Sequence, residues 1–200
     1  MVMKVKKRKA RLRRETRESS VSVELCLEGK GRSEVSTGVG FFDHMLTLVA
    51  RHALYDLVVE AKGDRQVDDH HTVEDVGISL GQALRKALGE KKGIRRFGSA
   101  AVPMDAALAQ VSLDISGRGL LVYNVPPLPE KVGSFDTSLV REFLQGFTSH
   151  AELTLHVNVP YGDDGHHVAE AIFKGLARAL RQATDIDPRE KGVPSTKGVL

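Results

Sequence analysis

The chain has 200 residues, 41% of them hydrophobic, with a formal net charge of +3, one cysteine and no tryptophan. This length can bury an ordinary core, as one domain or as two small halves, and a lone cysteine excludes an internal disulfide framework. No uninterrupted apolar run reaches membrane-spanning length, and few aromatic residues accompany the basic ones. We therefore expect a cytoplasmic protein whose partners include neither a membrane nor a nucleic acid.

The chain begins with a strongly basic stretch, MVMKVKKRKARLRR, which is not followed by the apolar segment of a signal peptide. Much of the excess positive charge lies between Lys4 and Arg14 and could attract a polyanion. Terminal segments of this kind are more often solvated and partly disordered. We therefore expect residues 1–13 to lie outside the folded part of the chain.

Strand and helix patterns then alternate along the chain. Strand-like alternation of apolar and polar residues, each time followed by a Gly or Pro turn, covers residues 20–27, 57–61, 109–115 and 153–159. Helical spacing of apolar residues predicts helices over about 41–52, 70–88, 136–150 and 168–184. Asp69 is the expected N-cap of the second helix and Gly89 its stop signal, and Asp185 marks the exit of the last helix.

The pattern HHxxE occurs twice, at residues 70–74 and 166–170. The agreement extends upstream, because LVVEAKGD precedes the first motif and LHVNVPYGD the second, a strand with a Gly-Asp turn in each case. Two such motifs in equivalent places use four of only eight histidines. One ancestral unit is therefore present twice, with the order helix, strand, turn and motif helix in each half.

Each motif can supply metal ligands from a helix. A glutamate three or four positions after a histidine shares its face, so Glu74 can reach the same ion as His70 or His71. Adjacent histidines diverge by about 100° around the helix, which suits two different ions, or ligands shared between subunits. Imidazole together with carboxylate favours manganese, iron or zinc, and the lack of thiolates argues against a structural zinc site.

The helix that precedes each motif helix offers a further ligand. His44, in FFDHML, precedes the first motif, and Glu142 takes the corresponding place before the second. Both side chains can bind a metal ion. His52, at the end of the first of these helices, fits either a capping or a substrate-contacting role.

Basic residues in turn-like settings indicate an anionic substrate. Arg96 in RRFGSA and Arg118 in SGRG lie beside glycines, where backbone amides can approach an anion. Lys174 follows Glu170 by one helical turn, and the segment 195–197 adds two hydroxyls and an ammonium group. Guanidinium and ammonium groups bind phosphate monoesters, so together with the metal motifs they predict a small phosphorylated substrate.

In order and spacing, several segments resemble the imidazole glycerol-phosphate dehydratase family: FFDHML, DDHHTVEDVGISLGQAL, RFGSAAVPMD, DISGRG, TLHV, HHVAEAIFKGLARALRQA and PSTKG. The resemblance runs from about Arg14 to the C-terminus. It implies an α+β fold with an internal duplication, each half a four-stranded sheet packed on two helices (ribosomal protein S5 domain 2-like). The repeats would span 14–97 and 98–187, with a phosphate-binding tail over 188–200. It also implies a 24-subunit particle with active sites between subunits.

The resemblance also assigns site residues by matching position, with two Mn²⁺ ions per active site. The metal ligands would be His44, His70, His71, Glu74, Glu142, His166, His167 and Glu170, although some relatives have histidine where Glu142 stands. The substrate would contact Glu18, His44, His52, His70, Arg96, Arg118, His166, Lys174, Ser195, Thr196 and Lys197. Catalysis would involve Glu18, His71, Glu74, His167 and Glu170, with Glu18 as the acid/base.

The implied reaction is that of a hydro-lyase of histidine biosynthesis, which converts D-erythro-imidazole glycerol phosphate to imidazole acetol phosphate. The proton to be lost is not acidic, since its carbon has no adjacent carbonyl. We expect both ring nitrogens of the substrate to bind metals, so that the ring becomes an imidazolate and expels the neighbouring hydroxyl to give a diazafulvene. Glu18 would then take the carbon-bound proton before the enol tautomerises, while the bound phosphate orients the substrate.

Two other function classes use some of the same features. Paired ions also activate water, so a two-metal hydrolase of a phosphate ester or amide could carry the same ligands. A nucleic-acid-binding module would account for the basic N-terminus and the small α/β halves. Neither class needs a duplicated HHxxE motif beside phosphate-type basic residues.

Overall fold

The structure is a computed structural model that describes residues 7–200. The first half contains β1 (Lys9–Glu15), β2 (Ser19–Cys26), β3 (Ser33–Ser36), α1 (Gly40–Ala53), β4 (Asp56–Gly63) and α2 (His70–Leu88). The second half contains β5 (Phe97–Met104), β6 (Ala107–Asp114), β7 (Leu120–Asn124), β8 (Lys131–Val132), β9 (Phe135–Asp136), α3 (Leu139–Ala151), β10 (Thr154–Tyr161) and α4 (Gly165–Thr184). Apart from the small β8–β9 hairpin, the two halves have the same order of elements.

Each half has a four-stranded sheet with the same topology. The strand orders are β1-β2-β4-β3 and β5-β6-β10-β7, and in each sheet only the last pair is parallel. Helix α1 connects the parallel strands β3 and β4, and α3 lies between β7 and β10 along the chain. The predicted α+β fold with a duplicated sheet-and-helix unit is therefore confirmed.

The helices bury their apolar faces against the sheets and against each other. Helix α2 packs on β1 and β2 of the first sheet, and α4 packs on β5 and β6 of the second. Across the halves, α2 packs against α3 and α1 against α4. The ring of Phe143 lies 5.3 Å from that of Phe42 and 5.2 Å from that of Phe173, so both halves share one core. Within residues 7–200, the helices are too short or too polar to cross a membrane.

Strand β1 corrects the predicted extent of the basic N-terminal segment. Residues 9–15 pair with β2, from Lys9 opposite Cys26 to Glu15 opposite Ser20, so residues 9–13 belong to the first sheet. Residues 1–6 lie outside the described range. Ala10 is buried, whereas Arg11 and Arg13 project to solvent from this edge strand. Charged side chains are common on edge strands because they discourage pairing with other chains, and here they mask the strand pattern.

The ends of α2 agree with the sequence, and its N-terminus differs only in which side chain supplies the capping bond. Gly89 follows the last residue of α2 with φ 56, as the predicted stop signal. Asp69 is the N-cap residue of α2, as predicted, but its side chain makes no capping hydrogen bond and instead accepts one from Arg65 Nε. Asp68 Oδ1 accepts the bond from the backbone N–H of His70, at 2.8 Å. In α4, Asp164 accepts a capping bond from the backbone N–H of His167, at 2.9 Å.

The close approach of α2 and α3 depends on glycine. A Cβ atom on Gly81 would lie 2.5 Å from the carbonyl oxygen of Phe147 and 2.9 Å from the backbone nitrogen of Ala151. We predict that Gly81→Ala forces the helices apart at a cost of about 1–3 kcal/mol. For a chain of this size, each kcal/mol lowers the midpoint of thermal unfolding by about 2–4 °C. Gly40→Ala, whose added methyl meets nothing within 4 Å, is the control. Equal midpoints for the two variants would contradict this packing.

Candidate active site

The second HHxxE motif forms a cluster of three ligand side chains together with His44. The Nε2 atoms of His44 and His166 each lie 3.0 Å from Oε1 of Glu170. One ligand atom from each residue lies within 4.8 Å of the others, close enough to share one metal ion. His44 is on α1 and the other two are on α4, so the packing of one half on the other creates the cluster. Two imidazoles and a carboxylate suit a divalent transition metal.

The carboxylate of Glu170 is the buried centre of this cluster. Its side chain also accepts a hydrogen bond from the ammonium group of Lys174, one turn further along α4. Burial opposes ionisation, but the hydrogen bonds from Lys174, His44 and His166 outweigh it and lower the pKa of Glu170 to about 2. Glu170 is therefore ionised at neutral pH, which is the state that a metal ligand requires.

The two histidines of each motif point in different directions, as the helix geometry predicts. Their ring centroids are 6.0 Å apart in both motifs, with interplanar angles of 86° for His70 and His71 and 70° for His166 and His167. His167 turns away from the cluster, and its Nε2 lies 3.2 Å from Oδ2 of Asp105 in the β5–β6 turn. Each motif therefore presents imidazoles to two separate places.

The first motif has a different arrangement. Nε2 of His70 lies 3.9 Å from Oε2 of Glu74 on the next turn of α2. Nδ1 of His71 lies 3.0 and 3.1 Å from the two carboxylate oxygens of Asp64, and this side-chain hydrogen bond raises the pKa of His71. Nε2 of His71 lies 3.8 Å from Oε1 of Glu18. A carboxylate on one ring nitrogen orients the imidazole and leaves the other nitrogen for a ligand.

Glu142 does not join a ligand cluster within the described part of the chain. It lies in the first turn of α3, the helix that packs on α2, in the place equivalent to His44. Among residues 7–200 its side chain makes no hydrogen bond or ion pair, and no such contact joins one HHxxE motif to the other. Within residues 7–200, the predicted ligands that come close enough as a group of three to share one ion are His44, His166 and Glu170.

The predicted phosphate contacts lie in separate places of the second half. Lys174 is at the metal-ligand cluster. Arg96 donates two hydrogen bonds to Asp114, at 2.7 and 3.0 Å, and the hydrogen bond to this carboxylate raises the pKa of Arg96. Arg96 also donates to the carbonyl oxygen of Pro194 at 2.9 Å. The segment 195–197 directly follows Pro194 along the chain. Arg118 lies in the β6–β7 turn and donates to its own turn at Ser116.

His52 lies in the last turn of α1, near several cationic side chains. Burial lowers the pKa of His52, and the positive charges of Lys174, Arg178 and Arg51 lower it further. An unprotonated imidazole is therefore favoured there at neutral pH. No hydrogen bond within residues 7–200 joins this ring to the end of the helix, so the structure gives it no capping role.

Asp75 is a site residue that no sequence pattern singles out. It directly follows Glu74 on α2, is 5% exposed, and accepts a hydrogen bond from Arg14 Nε at 2.8 Å. The hydroxyl groups of Ser19 and Thr16, on either side of the β1–β2 turn, also donate to its carboxylate. The turn is thereby attached to α2. An acidic residue inside a helical pattern carries no local signal of such a distant contact.

The attachment through Asp75 determines where Glu18 lies. Within the turn, the backbone N–H of Glu18 donates to Thr16 Oγ1 at 3.2 Å, and the carbonyl oxygen of Glu18 accepts a bond from the backbone N–H of Asp64 at 3.0 Å. Asp64 is the same residue that holds His71. Glu18 and His71 therefore share one hydrogen-bonded support.

We predict that Asp75→Ala loosens the β1–β2 turn, because Arg14 and Ser19 lose a buried charged partner. Hydrogen bonds to a charged group contribute about 1.5–3 kcal/mol, so the free energy of unfolding should fall by about that amount. Hydrogen exchange over residues 14–22 should become faster. Asp163→Ala, an exposed carboxylate without a hydrogen bond or ion pair in residues 7–200, is the matched control. Unchanged exchange in Asp75→Ala would rule out this support.

Comparisons with known proteins agree with the arrangement of these motifs. A family model described as imidazoleglycerol-phosphate dehydratase matches residues 37–180, which include both HHxxE motifs. Relatives with that name include the proteins of Oceanobacillus iheyensis, 56% identical, and Azorhizobium caulinodans, 58% identical. Both alignments cover 96% of this chain, and they cover 100% and 98% of the respective relatives.

Solved structures of similar chains have the same fold. The imidazoleglycerol-phosphate dehydratase of Staphylococcus aureus is 40% identical with a TM-score of 0.81, covering 90% of this chain and 99% of that one. IGPD from Pyrococcus furiosus, in complex with (S)-C348, is 39% identical with a TM-score of 0.82, covering 94% of this chain and 100% of that one.

Proposed function

The chain belongs to the imidazoleglycerol-phosphate dehydratase family, and we propose that it carries out this reaction at a manganese centre built from its two HHxxE motifs. Dehydration of imidazole glycerol phosphate in histidine biosynthesis follows from the family, at 55–58% identity over nearly the whole chain. The comparisons do not support a two-metal hydrolase. The observation that carries the assignment is the similarity across both motifs.

We propose two Mn²⁺ ions per active site. The cluster of His44, His166 and Glu170 supports this proposal, because its ligand atoms lie within 4.8 Å of one another and Glu170 is already ionised. A nitrogen and oxygen donor set is compatible with manganese. The remaining proposed ligands are His70, His71, Glu74, His167 and, as the least supported, Glu142. Mn²⁺ held by these residues would supply Lewis-acid chemistry toward the imidazole ring of the substrate.

We assign two proton transfers to Glu18, the removal of the carbon-bound proton and the return of a proton during tautomerisation. Its side chain is 55% exposed, and its carboxylate lies 3.8 Å from Nε2 of His71. It is therefore free to reach a substrate while the β1–β2 turn keeps it beside the first motif. As a base it takes the carbon-bound proton, and as an acid it returns a proton when the enol becomes the ketone.

Binding of the substrate phosphate is assigned to basic and hydroxyl groups away from the reacting carbons. Lys174 and the neutral His52 lie beside the metal-ligand cluster, and Arg96 is adjacent in space to the C-terminal segment. The proposed phosphate contacts are Arg96, Arg118, Lys174, Ser195, Thr196 and Lys197. Binding energy at the phosphate orients the ring and the glycerol carbons for reaction.

We further propose that the complete site forms between chains of a cytoplasmic 24-mer. Within residues 7–200 of one chain no hydrogen bond or ion pair connects the two motifs, and the cluster that does form has only three ligand side chains. A second chain that brings its first motif to the second motif of its neighbour would supply the missing ligands.

We predict that Glu18→Gln lowers kcat by about 10²–10⁴-fold, the usual contribution of general acid–base catalysis. Bound metal and the Kd of the substrate should stay at wild-type values, because the amide keeps the size of the side chain. Glu24→Gln, an exposed glutamate on the adjoining strand β2, should keep full activity. If Glu18→Gln turned over normally with metal bound, Glu18 would not be the acid/base.

Removal of the metal tests the reaction and the cofactor together. We predict that chelator-treated protein forms no imidazole acetol phosphate from imidazole glycerol phosphate, and that added Mn²⁺ restores the activity. The ketone product and released phosphate are measured in the same samples. Activity of a preparation that elemental analysis shows to be free of transition metal would contradict the metal centre, and phosphate release would indicate a hydrolase.

A further inference from the structure

The β5–β6 turn has the same place in the second half that the Glu18 turn has in the first. Strands β1 and β2 form the antiparallel pair at one end of the first sheet, and β5 and β6 form the matching pair of the second. The motif helices α2 and α4 pack on these two pairs in the same way. The first turn carries Glu18, and the second turn, between Met104 and Ala107, carries Asp105.

The second histidine of each motif lies between two carboxylates. For His71, Nδ1 faces Asp64 at 3.0 Å and Nε2 faces Glu18 at 3.8 Å. In both halves the carboxylate near Nδ1 comes from the turn that precedes the motif helix, and the carboxylate near Nε2 comes from the strand hairpin.

His167 also has one carboxylate near each ring nitrogen. Its shorter distance is on the Nε2 side, whereas the shorter distance of His71 is on the Nδ1 side. Nδ1 lies 3.9 Å from Oδ1 of Asp164, and Nε2 lies 3.2 Å from Oδ2 of Asp105. Asp105 thus repeats the position of Glu18 with a side chain that is one methylene shorter. The shorter side chain keeps the carboxylate beside the imidazole, whereas Glu18 can extend beyond its histidine.

The core does not require an aspartate at residue 105. Its side chain is 69% exposed, and its backbone has φ 45, a left-handed conformation in which glycine is less strained. The side-chain contact that Asp105 makes within residues 7–200 is the one to His167.

We propose that Asp105 is the counterpart of Glu18 in the second half, and that its carboxylate contributes to binding the divalent cation at His167. This inference rests on the proposed function, in which His167 is a metal ligand. A carboxylate oxygen on the Nε2 side of the ring either binds the ion directly or holds a water bound to it, and manganese accepts oxygen ligands readily. Asp105 is therefore assigned to metal binding, and Glu18 to proton transfer.

Titration calorimetry with Mn²⁺ on the full-length, assembled, metal-free protein tests the role of Asp105. Asp105→Asn keeps the size of the side chain and tolerates the left-handed backbone, and Asp105→Gly relieves the strain. Both variants should bind Mn²⁺ about tenfold or more weakly, the usual effect of losing a carboxylate that supports a metal site. Asp163→Asn, an exposed carboxylate of the neighbouring loop, should bind Mn²⁺ like the wild type.

The unfolding midpoint of the metal-free proteins separates metal binding from a structural role. Asp105→Gly should unfold at the same temperature as the wild type or higher, because glycine suits φ 45. Wild-type Mn²⁺ affinity in both Asp105 variants would overturn the inference while leaving the metal centre intact. A lower midpoint in both variants would overturn it in favour of a structural role. A wild-type protein that binds no Mn²⁺ would overturn the metal centre, and the role of Asp105 with it.

Discussion

The packing of each motif helix against a helix of the opposite half is the constraint on which the site depends. Helix α1 belongs to the first half but lies against α4, so His44 meets His166 and Glu170 of the second motif. Helix α3 packs on α2, where glycines allow backbone contact. The phenylalanines of the shared core hold this arrangement. The metal-ligand cluster is therefore a product of tertiary packing and not of either repeat alone.

The candidate site contains buried carboxylates that are surrounded by hydrogen-bond donors. Removing an ionised carboxylate from water is unfavourable, and in this chain each such group has donors around it. Glu170 has two imidazoles and an ammonium group, and Asp75 has a guanidinium and two hydroxyls. These contacts also hold the neighbouring elements together. A substitution that removes the charge of Asp75 therefore also releases the β1–β2 turn, which carries Glu18.

The two halves have kept their fold while their equivalent residues have diverged. His44 corresponds to Glu142, Glu18 to Asp105, and Asp75 to Ala171. The β1–β2 turn is longer than the two-residue β5–β6 turn and is attached to its helix through Asp75. In the β5–β6 hairpin, Met104 directly before the turn pairs with Ala107 directly after it. A duplicated unit can in this way supply two similar metal-binding helices and two dissimilar carboxylates.

The sequence by itself determined the duplication, the four main helices, four of the strands and the membership of the family, because periodicity, turn residues and motif spacing are local properties. It also indicated that adjacent histidines diverge around a helix, which the ring orientations confirm. Tertiary structure alone decided that β1 is a strand, that His44 serves the second motif and that Asp75 and Asp105 approach the site. Those contacts join residues such as 44 and 170 or 14 and 75, which only the packing of the whole core brings together.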